Sequence, residues 1–226
     1  MDARRISFPA NGETAEGFMA LPEGGQGPGV IVLQEWWGLV PHIEDVCRRF
    51  AEEGFIALAP DLYQGRTTRS PDDAGKLMMA LDIDRTEQEL SGAVKFLKAA
   101  PGLTSSGVGV VGFCMGGQLA LYAACKNPDI LACVNYYGIH PHVKPDFKSM
   151  HAPVLGFFAE KDGSVPPAAA RELEQTIRAS GNEVEIQIYP GTSHAFFNDT
   201  RPQVHDPGAA EDTWKRMLPF FRKHLG

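Results

Sequence analysis

The 226-residue chain has few cysteines, no long apolar run and fewer basic than acidic residues. Its four cysteines, Cys47, Cys114, Cys125 and Cys133, form no CxxC pair, which argues against a disulfide scaffold and predicts reduced thiols in a cytoplasmic protein. No apolar run approaches the ~20 residues that cross a bilayer, and residues 1–9 have no apolar stretch typical of a secretory signal. Basic residues are outnumbered 21 to 28, so the net charge of −7 disfavours a nucleic-acid partner.

The residues that are present predict one globular domain over residues 1–226, because 43% are hydrophobic and 22% charged. Short apolar or alternating runs predict these strands: Val30–Leu33, Phe55–Ala59, Val108–Val111, Ala132–Tyr137, Val154–Ala159 and Glu183–Tyr189. Helical spacing and helix-ending residues predict these helices: about 42–53, 71–80, 85–100, 115–126, 167–180 and 209–225, the last kinked or interrupted at Pro219.

Strands that alternate with helices predict an α/β fold, a mostly parallel sheet with helices on both faces. A Gly-rich turn at 22–28 separates two earlier strands, and the strict alternation in Glu183–Tyr189 places that strand near a sheet edge. Ligands of such sheets bind at the carboxyl ends of the strands, so residues directly after strands are the candidates for chemistry.

The most informative stretch is Gly112-Phe-Cys114-Met-Gly116, which links a predicted strand to a predicted helix. The G-x-C-x-G pattern is a nucleophile elbow with cysteine in place of serine. The helix N-terminus favours a thiolate at Cys114, and the backbone N–H of Met115 can donate to an oxyanion. The alternative is a buried cysteine beside structural glycines.

A thiol nucleophile benefits from a histidine base and an orienting acid, and α/β sheets of this kind supply them in the order nucleophile, acid, histidine. Asp162 follows the strand Val154–Ala159, with Glu160 as its rival, and His194 follows the strand Glu183–Tyr189. We therefore predict a Cys114–His194–Asp162 triad.

The segment after the first central strand, Gln34-Glu-Trp-Trp-Gly38, should supply the second oxyanion donor, for which the N–H of Trp36 is the candidate. Glu35 places an acid at the end of a buried strand, where it needs a partner. That partner is either the active thiol or nearby backbone, and the paired tryptophans either wall a pocket or pack. His140 and His142 flank Pro141 without a third ligand, so we expect no metal and no cofactor.

The joint pattern resembles the dienelactone hydrolase (carboxymethylenebutenolidase) family of the α/β-hydrolase fold. The matching segments run from about residue 30 to 200: Gln34-Glu35 with Gly38, Pro60-Asp-Leu-Tyr63, Gly112–Gly117, Asp162 with Val165-Pro166, and Gly191–Phe196. The resemblance implies a single α/β-hydrolase domain with no separate cap domain. It also implies that Glu35 interacts with the resting thiol and helps to form the thiolate when substrate arrives.

The resemblance also indicates a substrate pocket, which we expect to include Trp37, Tyr63, Phe196 and Asn198. Well-known members of the family hold a substrate carboxylate with two arginines, and here Asn198 and Pro71 stand at the matching positions. Other arginines that could substitute are these: Arg66, Arg69 and Arg201.

The expected activity is hydrolysis of a small ester or lactone through a thioester, by a monomer or small homo-oligomer. The alternatives are a general carboxylesterase or thioesterase, a non-catalytic binding module of the same fold, and a redox sensor that uses Cys114. The last lacks a nearby resolving cysteine.

Overall fold

A computed structural model describes residues 1–10 and 12–226 of the chain. Within these residues the strands are β1 (Asp2–Ala10), β2 (Glu13–Leu21), β3 (Gly27–Leu33), β4 (Ile56–Pro60), β5 (Leu103–Phe113), β6 (Ile130–Tyr136), β7 (Val154–Ala159) and β8 (Val184–Tyr189). The helices are α1 (Pro41–Glu52), α2 (Pro71–Met79), α3 (Ile83–Lys98), α4 (Met115–Lys126), α5 (Pro167–Ala179) and α6 (Pro207–Leu225), with a 3₁₀ turn at Phe147–Ser149.

The strands form one sheet in the order β1-β2-β4-β3-β5-β6-β7-β8. Strands β3 to β8 pair in parallel, whereas β1 pairs with β2, and β2 with β4, in antiparallel fashion. The prediction of a mostly parallel α/β sheet is confirmed, and β8 lies at the sheet edge as its alternating pattern indicates.

The central parallel strands are buried on both faces because helices cover the sheet from either side, whereas the edge strand β8 is only partly buried. On one face α1 and α6 meet through Phe50, whose ring lies 4.8 Å from that of Trp214 and 6.0 Å from that of Phe221. On the other face α3 packs against α4, and both contact β5. Fully buried β3 residues such as Val30 and Val32 lie between these layers. Burial of this apolar surface is the main force that holds the sheet and helices together.

Helix boundaries follow local chemistry. Side chains of Ser70, Asp82 and Asp206 accept hydrogen bonds from backbone N–H groups in the first turns of α2, α3 and α6.

Pro219 does not interrupt α6, which runs continuously from Pro207 to Leu225. Of the two expected effects of Pro219, the interruption is wrong and the kink stays a prediction. Met217 and Phe221 are fully buried on either side of the proline, so packing against the sheet offsets the lost backbone hydrogen bond.

Within residues 1–10 and 12–226, no helix combines the length and the apolar character of a membrane span. In a sheet of this kind, ligands bind at the carboxyl ends of the parallel strands, here the ends of β3, β5, β6, β7 and β8.

Candidate active site

Cys114 occupies the tight turn between β5 and α4. Its backbone has φ 53° and ψ −121°, a conformation that non-glycine residues rarely adopt. Its N–H donates to the Tyr136 carbonyl at 3.0 Å, and its carbonyl accepts from the Gly117 N–H at 2.9 Å. Such strain costs of order 1–3 kcal/mol and persists only where the surroundings impose it. The turn projects Cys114 beyond the sheet at the N-terminus of α4.

The two flanking glycines are required by the close approach of backbone. A Cβ on Gly112 would lie 1.9 Å from the Gly116 carbonyl oxygen. A Cβ on Gly116 would lie 2.5 Å from the carbonyl oxygens of both Leu33 and Gln34. No side chain fits at either position, so this turn requires the two glycines of the G-x-C-x-G pattern.

His194 and Asp162 form a short hydrogen bond. His194 Nδ1 lies 2.6 Å from Asp162 Oδ2, and the Asp162 side chain is fully buried. The other carboxylate oxygen, Oδ1, accepts the backbone N–H groups of Ser164 at 2.7 Å and Val165 at 2.9 Å. Because an ionised carboxylate only accepts hydrogen bonds, His194 carries its proton on Nδ1. Its Nε2 is then left to face other groups.

The pKa values of this pair move in opposite directions. Burial lowers the pKa of His194, but the interactions with Asp162 and with the neighbouring Cys114 outweigh it and raise the pKa to about 10. Burial raises the pKa of Asp162, but hydrogen bonds from His194, Val165 and Ser164 outweigh it and lower the pKa below the ordinary value. The site favours a charged imidazolium held against a carboxylate.

Cys114 and His194 line the same cavity, which has a volume of about 580 Å³. The remaining lining residues are mostly apolar or small, with two cations: Trp36, Met78, Ile139, Pro141, Lys161, Gly163, Ser164, Ser193, Arg201 and Val204. A cavity of this size and character can hold a small organic molecule beside the sulfur.

Two backbone N–H groups beside Cys114 have no hydrogen-bond acceptor among the described residues. Met115 is the first residue of α4, so its N–H has no acceptor within the helix. The N–H of Trp36 donates to no backbone or side-chain acceptor in residues 1–10 and 12–226. Trp36 also lines the cavity beside Cys114. Free N–H groups next to a nucleophile are what a tetrahedral oxyanion requires.

Glu35 is buried, with 1% of its surface exposed, and its partner is a side chain rather than nearby backbone. Asn198 Nδ2 donates to Glu35 Oε2 at 2.6 Å. The two residues are 163 positions apart in the sequence, so no local pattern could have shown the contact.

The four residues expected in the substrate pocket lie beside the cavity rather than in its lining. Trp37 is half-buried beneath the guanidinium of Arg201, which lies 5.5 Å from its ring. Tyr63 donates its hydroxyl to the Met115 sulfur at 3.2 Å. Phe196 is fully buried, and Asn198 is engaged with Glu35. The expectation that these residues line the pocket is therefore not met in the structure.

The candidate arginines separate clearly. Arg201 lines the cavity with Cys114. Arg66 lines a different cavity of about 220 Å³, Arg69 is exposed outside both, and Pro71 is the exposed first residue of α2. A positive charge thus enters the cavity from Arg201, as well as from Lys161.

Sequence reasoning missed Tyr137, which directly follows β6 at the carboxyl end of the sheet. Its backbone has φ 40°, its ring lies 4.9 Å from that of His194, and its fully buried hydroxyl has no partner in the part of the chain described. Burial raises its pKa well above the ordinary value, and the nearby Glu35 and Cys114 raise it further. The rule that strand ends carry chemistry could have found it.

The remaining cysteines and histidines have other surroundings. Burial raises the pKa values of Cys47 and Cys133 far above the ordinary range and that of Cys125 to about 12, so these are neutral thiols. His140 uses Nε2 toward the Met78 carbonyl at 3.1 Å and accepts the His142 N–H on Nδ1 at 3.2 Å. Both of its ring nitrogens are thus engaged with backbone.

A family model described as the dienelactone hydrolase family matches residues 15–225. The chain belongs to the dienelactone hydrolase family. The family is hydrolytic and several relatives are named "Putative carboxymethylenebutenolidase", so this member is a hydrolase with a small-molecule substrate. The α/β-hydrolase fold and the family implied by the sequence resemblance are therefore confirmed.

Similar proteins agree with the membership. The chain is 39% identical to "Protein usf" of Aquifex pyrophilus over 97% of this chain and 98% of that one. It is 34% identical to a "Putative carboxymethylenebutenolidase" of Aquifex aeolicus, again over 97% and 98%. The crystal structure of a "Putative Dienelactone Hydrolase" from Klebsiella pneumoniae superposes with a TM-score of 0.89 at 32% identity, covering 98% of each chain.

Proposed function

We propose that this dienelactone hydrolase family member is a cysteine-dependent hydrolase of small esters or lactones. The observation that carries the proposal is that Cys114 and His194 line the same cavity. Cys114 stands there on a strained elbow beside His194, which is hydrogen-bonded through Nδ1 to Asp162. The arrangement supplies a nucleophile, a proton carrier and an orienting acid.

In the proposed reaction, the Cys114 thiolate attacks the carbonyl carbon of the substrate. The N–H groups of Trp36 and Met115 stabilise the oxyanion, a contribution worth roughly 3–4 kcal/mol per donor in other enzymes. The C–O bond to the leaving group then breaks as His194 gives its proton to the departing oxygen, which leaves a thioester on Cys114. In a lactone the departing oxygen stays tethered to the acyl chain.

Water completes the cycle. His194, now neutral, takes a proton from the water that attacks the thioester carbonyl. The carbon–sulfur bond breaks, the acid leaves, and the thiolate and imidazolium are restored. Asp162 holds the Nδ1 proton throughout, so Nε2 is the atom that gives and takes the proton. Between turnovers the proton returns from His194 Nε2 to the Cys114 sulfur, and Glu35 helps to form the thiolate again when substrate enters, as the family resemblance implies.

The test is turnover of p-nitrophenyl acetate and of a dienelactone by wild type and by Cys114→Ala. We expect the variant to lose turnover by at least about 10³-fold, since the nucleophile is removed. Cys125→Ala is the matched control, because it removes a cysteine that lies outside the cavity. Equal turnover by wild type and Cys114→Ala would refute the mechanism.

A second candidate, a general carboxylesterase or thioesterase, is favoured by one observation. Asn198, at the position of one family arginine, is engaged with Glu35 and cannot hold a substrate carboxylate. The remaining cations in the cavity are Arg201 and Lys161. A preference for carboxylate-bearing lactones that is lost in Arg201→Ala supports the dienelactone activity, whereas indifference of the wild type to the carboxylate supports the general esterase.

A further inference from the structure

Two loops that are distant in sequence meet beside the cavity. The segment after β3 carries Glu35, and the segment after β8 carries His194. Their link is the hydrogen bond from Asn198 Nδ2 to Glu35 Oε2 at 2.6 Å, with both residues at most 2% exposed. A buried carboxylate needs a donor, and here it comes from the histidine loop.

The orientation of the Asn198 amide is set by Thr200. Asn198 Oδ1 accepts two hydrogen bonds from that residue, from the backbone N–H at 3.1 Å and from Oγ1 at 2.6 Å. An amide has one accepting oxygen and one donating nitrogen, so two donors on one side leave the nitrogen facing Glu35. The amide cannot turn toward a ligand without losing these bonds.

Only one oxygen of Glu35 is engaged. Oε1 accepts no hydrogen bond from the described residues, and it is not fully shielded from solvent. The segment that carries Glu35 lies against the turn that carries Cys114, because a Cβ on Gly116 would lie 2.5 Å from the carbonyl oxygens of Leu33 and Gln34. Burial raises the pKa of the Tyr137 phenol, and Glu35 and Cys114 both raise it further. The free oxygen is therefore the one available to the groups around the sulfur.

We propose that Asn198 is a positioning residue, which with Thr200 holds Glu35 by Oε2 and leaves Oε1 free to act on Cys114. This inference rests on the proposed cysteine-dependent function. It predicts that Asn198 acts through Glu35 and not merely as a tether between the loops. The adjacent contact between Asp199 Oδ1 and His42 Nδ1 at 3.2 Å joins the segment after β8 to the start of α1 and provides a matched control.

The first experiment is a double-mutant cycle on kcat/KM for p-nitrophenyl acetate with Asn198→Ala, Glu35→Gln and the double variant. We expect each single change to lower kcat/KM by about 100-fold, since a misplaced group can cost that much. The double variant should lose no more than either single one, because the two residues act as a unit. Thr200→Val should lose about fivefold, and Asp199→Asn should stay within about twofold.

The second experiment separates positioning from tethering. The exchange Glu35→Gln with Asn198→Asp restores a hydrogen bond of reversed polarity between the loops but removes the acid from position 35. We expect it to recover the melting temperature of the wild type while kcat/KM and the rate of Cys114 alkylation by iodoacetamide across pH 5–9 remain those of Glu35→Gln. Recovery of both stability and activity would overturn the inference, as would additive losses in the cycle.

The inference and the function on which it rests fail in different ways. If Cys114→Ala retains turnover, the cysteine mechanism itself is wrong. If Cys114→Ala is inactive while folded Asn198→Ala or Glu35→Gln matches wild type, only the positioning role is wrong. Should Asn198→Ala fail to fold, Thr200→Val and the polarity exchange still decide the matter.

Discussion

Replacement of Asp162 by asparagine is the change whose effect can be worked out furthest. The Asp162 side chain is fully buried, and its two carboxylate oxygens accept hydrogen bonds from different groups. Oδ1 accepts the N–H groups of Ser164 and Val165, and Oδ2 accepts His194 Nδ1. An asparagine fills the same volume but carries only one oxygen, so the network decides which way it turns.

Two backbone donors at one side require that oxygen, so the asparagine nitrogen must face His194. A donating NH₂ group needs an acceptor there, which forces the imidazole to carry its proton on Nε2 instead of Nδ1. Nε2 can then no longer accept a proton from Cys114 or from water. The same exchange in a Ser-His-Asp site lowers kcat about 10⁴-fold with intact geometry. We expect a loss of about 10³–10⁴-fold in kcat for Asp162→Asn, equivalent to roughly 4–5.5 kcal/mol.

The assay is kcat and KM for p-nitrophenyl acetate, with thermal unfolding to show that the variant is folded. Glu160→Gln is the control, because Glu160 is an exposed acid two residues earlier whose Oε2 accepts the Gly191 N–H at 2.8 Å. It should retain kcat within about threefold, since it does not touch His194. A folded Asp162→Asn variant whose kcat lies within tenfold of wild type would refute the tautomer argument.

Three further predictions concern stability and thiol chemistry. The pKa of His194 is raised in the folded protein, so its contribution to stability is complete below the unfolded pKa near 6.5 and is lost as pH rises through about 10. Urea unfolding at pH 6, 8 and 10 should show the advantage of wild type over His194→Gln shrinking by a few kcal/mol, and a constant difference would contradict the coupling. Gly112→Ala should lower the free energy of unfolding by more than about 3 kcal/mol, because the added Cβ would lie 1.9 Å from the Gly116 carbonyl oxygen. The control Gly75→Ala, in α2 with no atom within 4 Å of the added Cβ, should raise it by about 0.5–1 kcal/mol. Iodoacetamide should label one thiol per folded chain, Cys114, as read by peptide mass spectrometry, and equal labelling of the other cysteines would contradict their burial.

Much of the fold could be predicted because its signals are local. Buried parallel strands appear in the sequence as short apolar runs, and the positions after β5, β7 and β8 indicated Cys114, Asp162 and His194, which the structure brings together. The pairing of β1 with β2 was not predicted, although an Asn-Gly dipeptide at 11–12 is a known hairpin signal. A helix that spans Pro219 was predicted, but the local rule left open whether the proline kinks or interrupts it, and tertiary packing keeps α6 continuous.

The lining of the cavity could not be predicted from the sequence. Met78, Ile139 and Val204 come from three loops or helix ends, and which of them reach the sulfur depends on how those segments fold over the sheet. For the same reason the sequence could name Arg66, Arg69 and Arg201 but not choose among them. Only Arg201 enters the cavity with Cys114.

The sequence by itself determined the elbow, because the contacts that forbid a side chain at Gly112 and Gly116 come from the turn and from the strand beside it and recur wherever that turn forms. Only the tertiary structure decided the partner of Glu35. The donor on Asn198 lies 163 residues away, and its direction depends on two further hydrogen bonds from Thr200. Steric limits on the backbone act between residues that are close in sequence, so they appear as a local sequence pattern. The hydrogen-bond donor that a buried carboxylate requires can come from any distant residue that folding brings into contact with it.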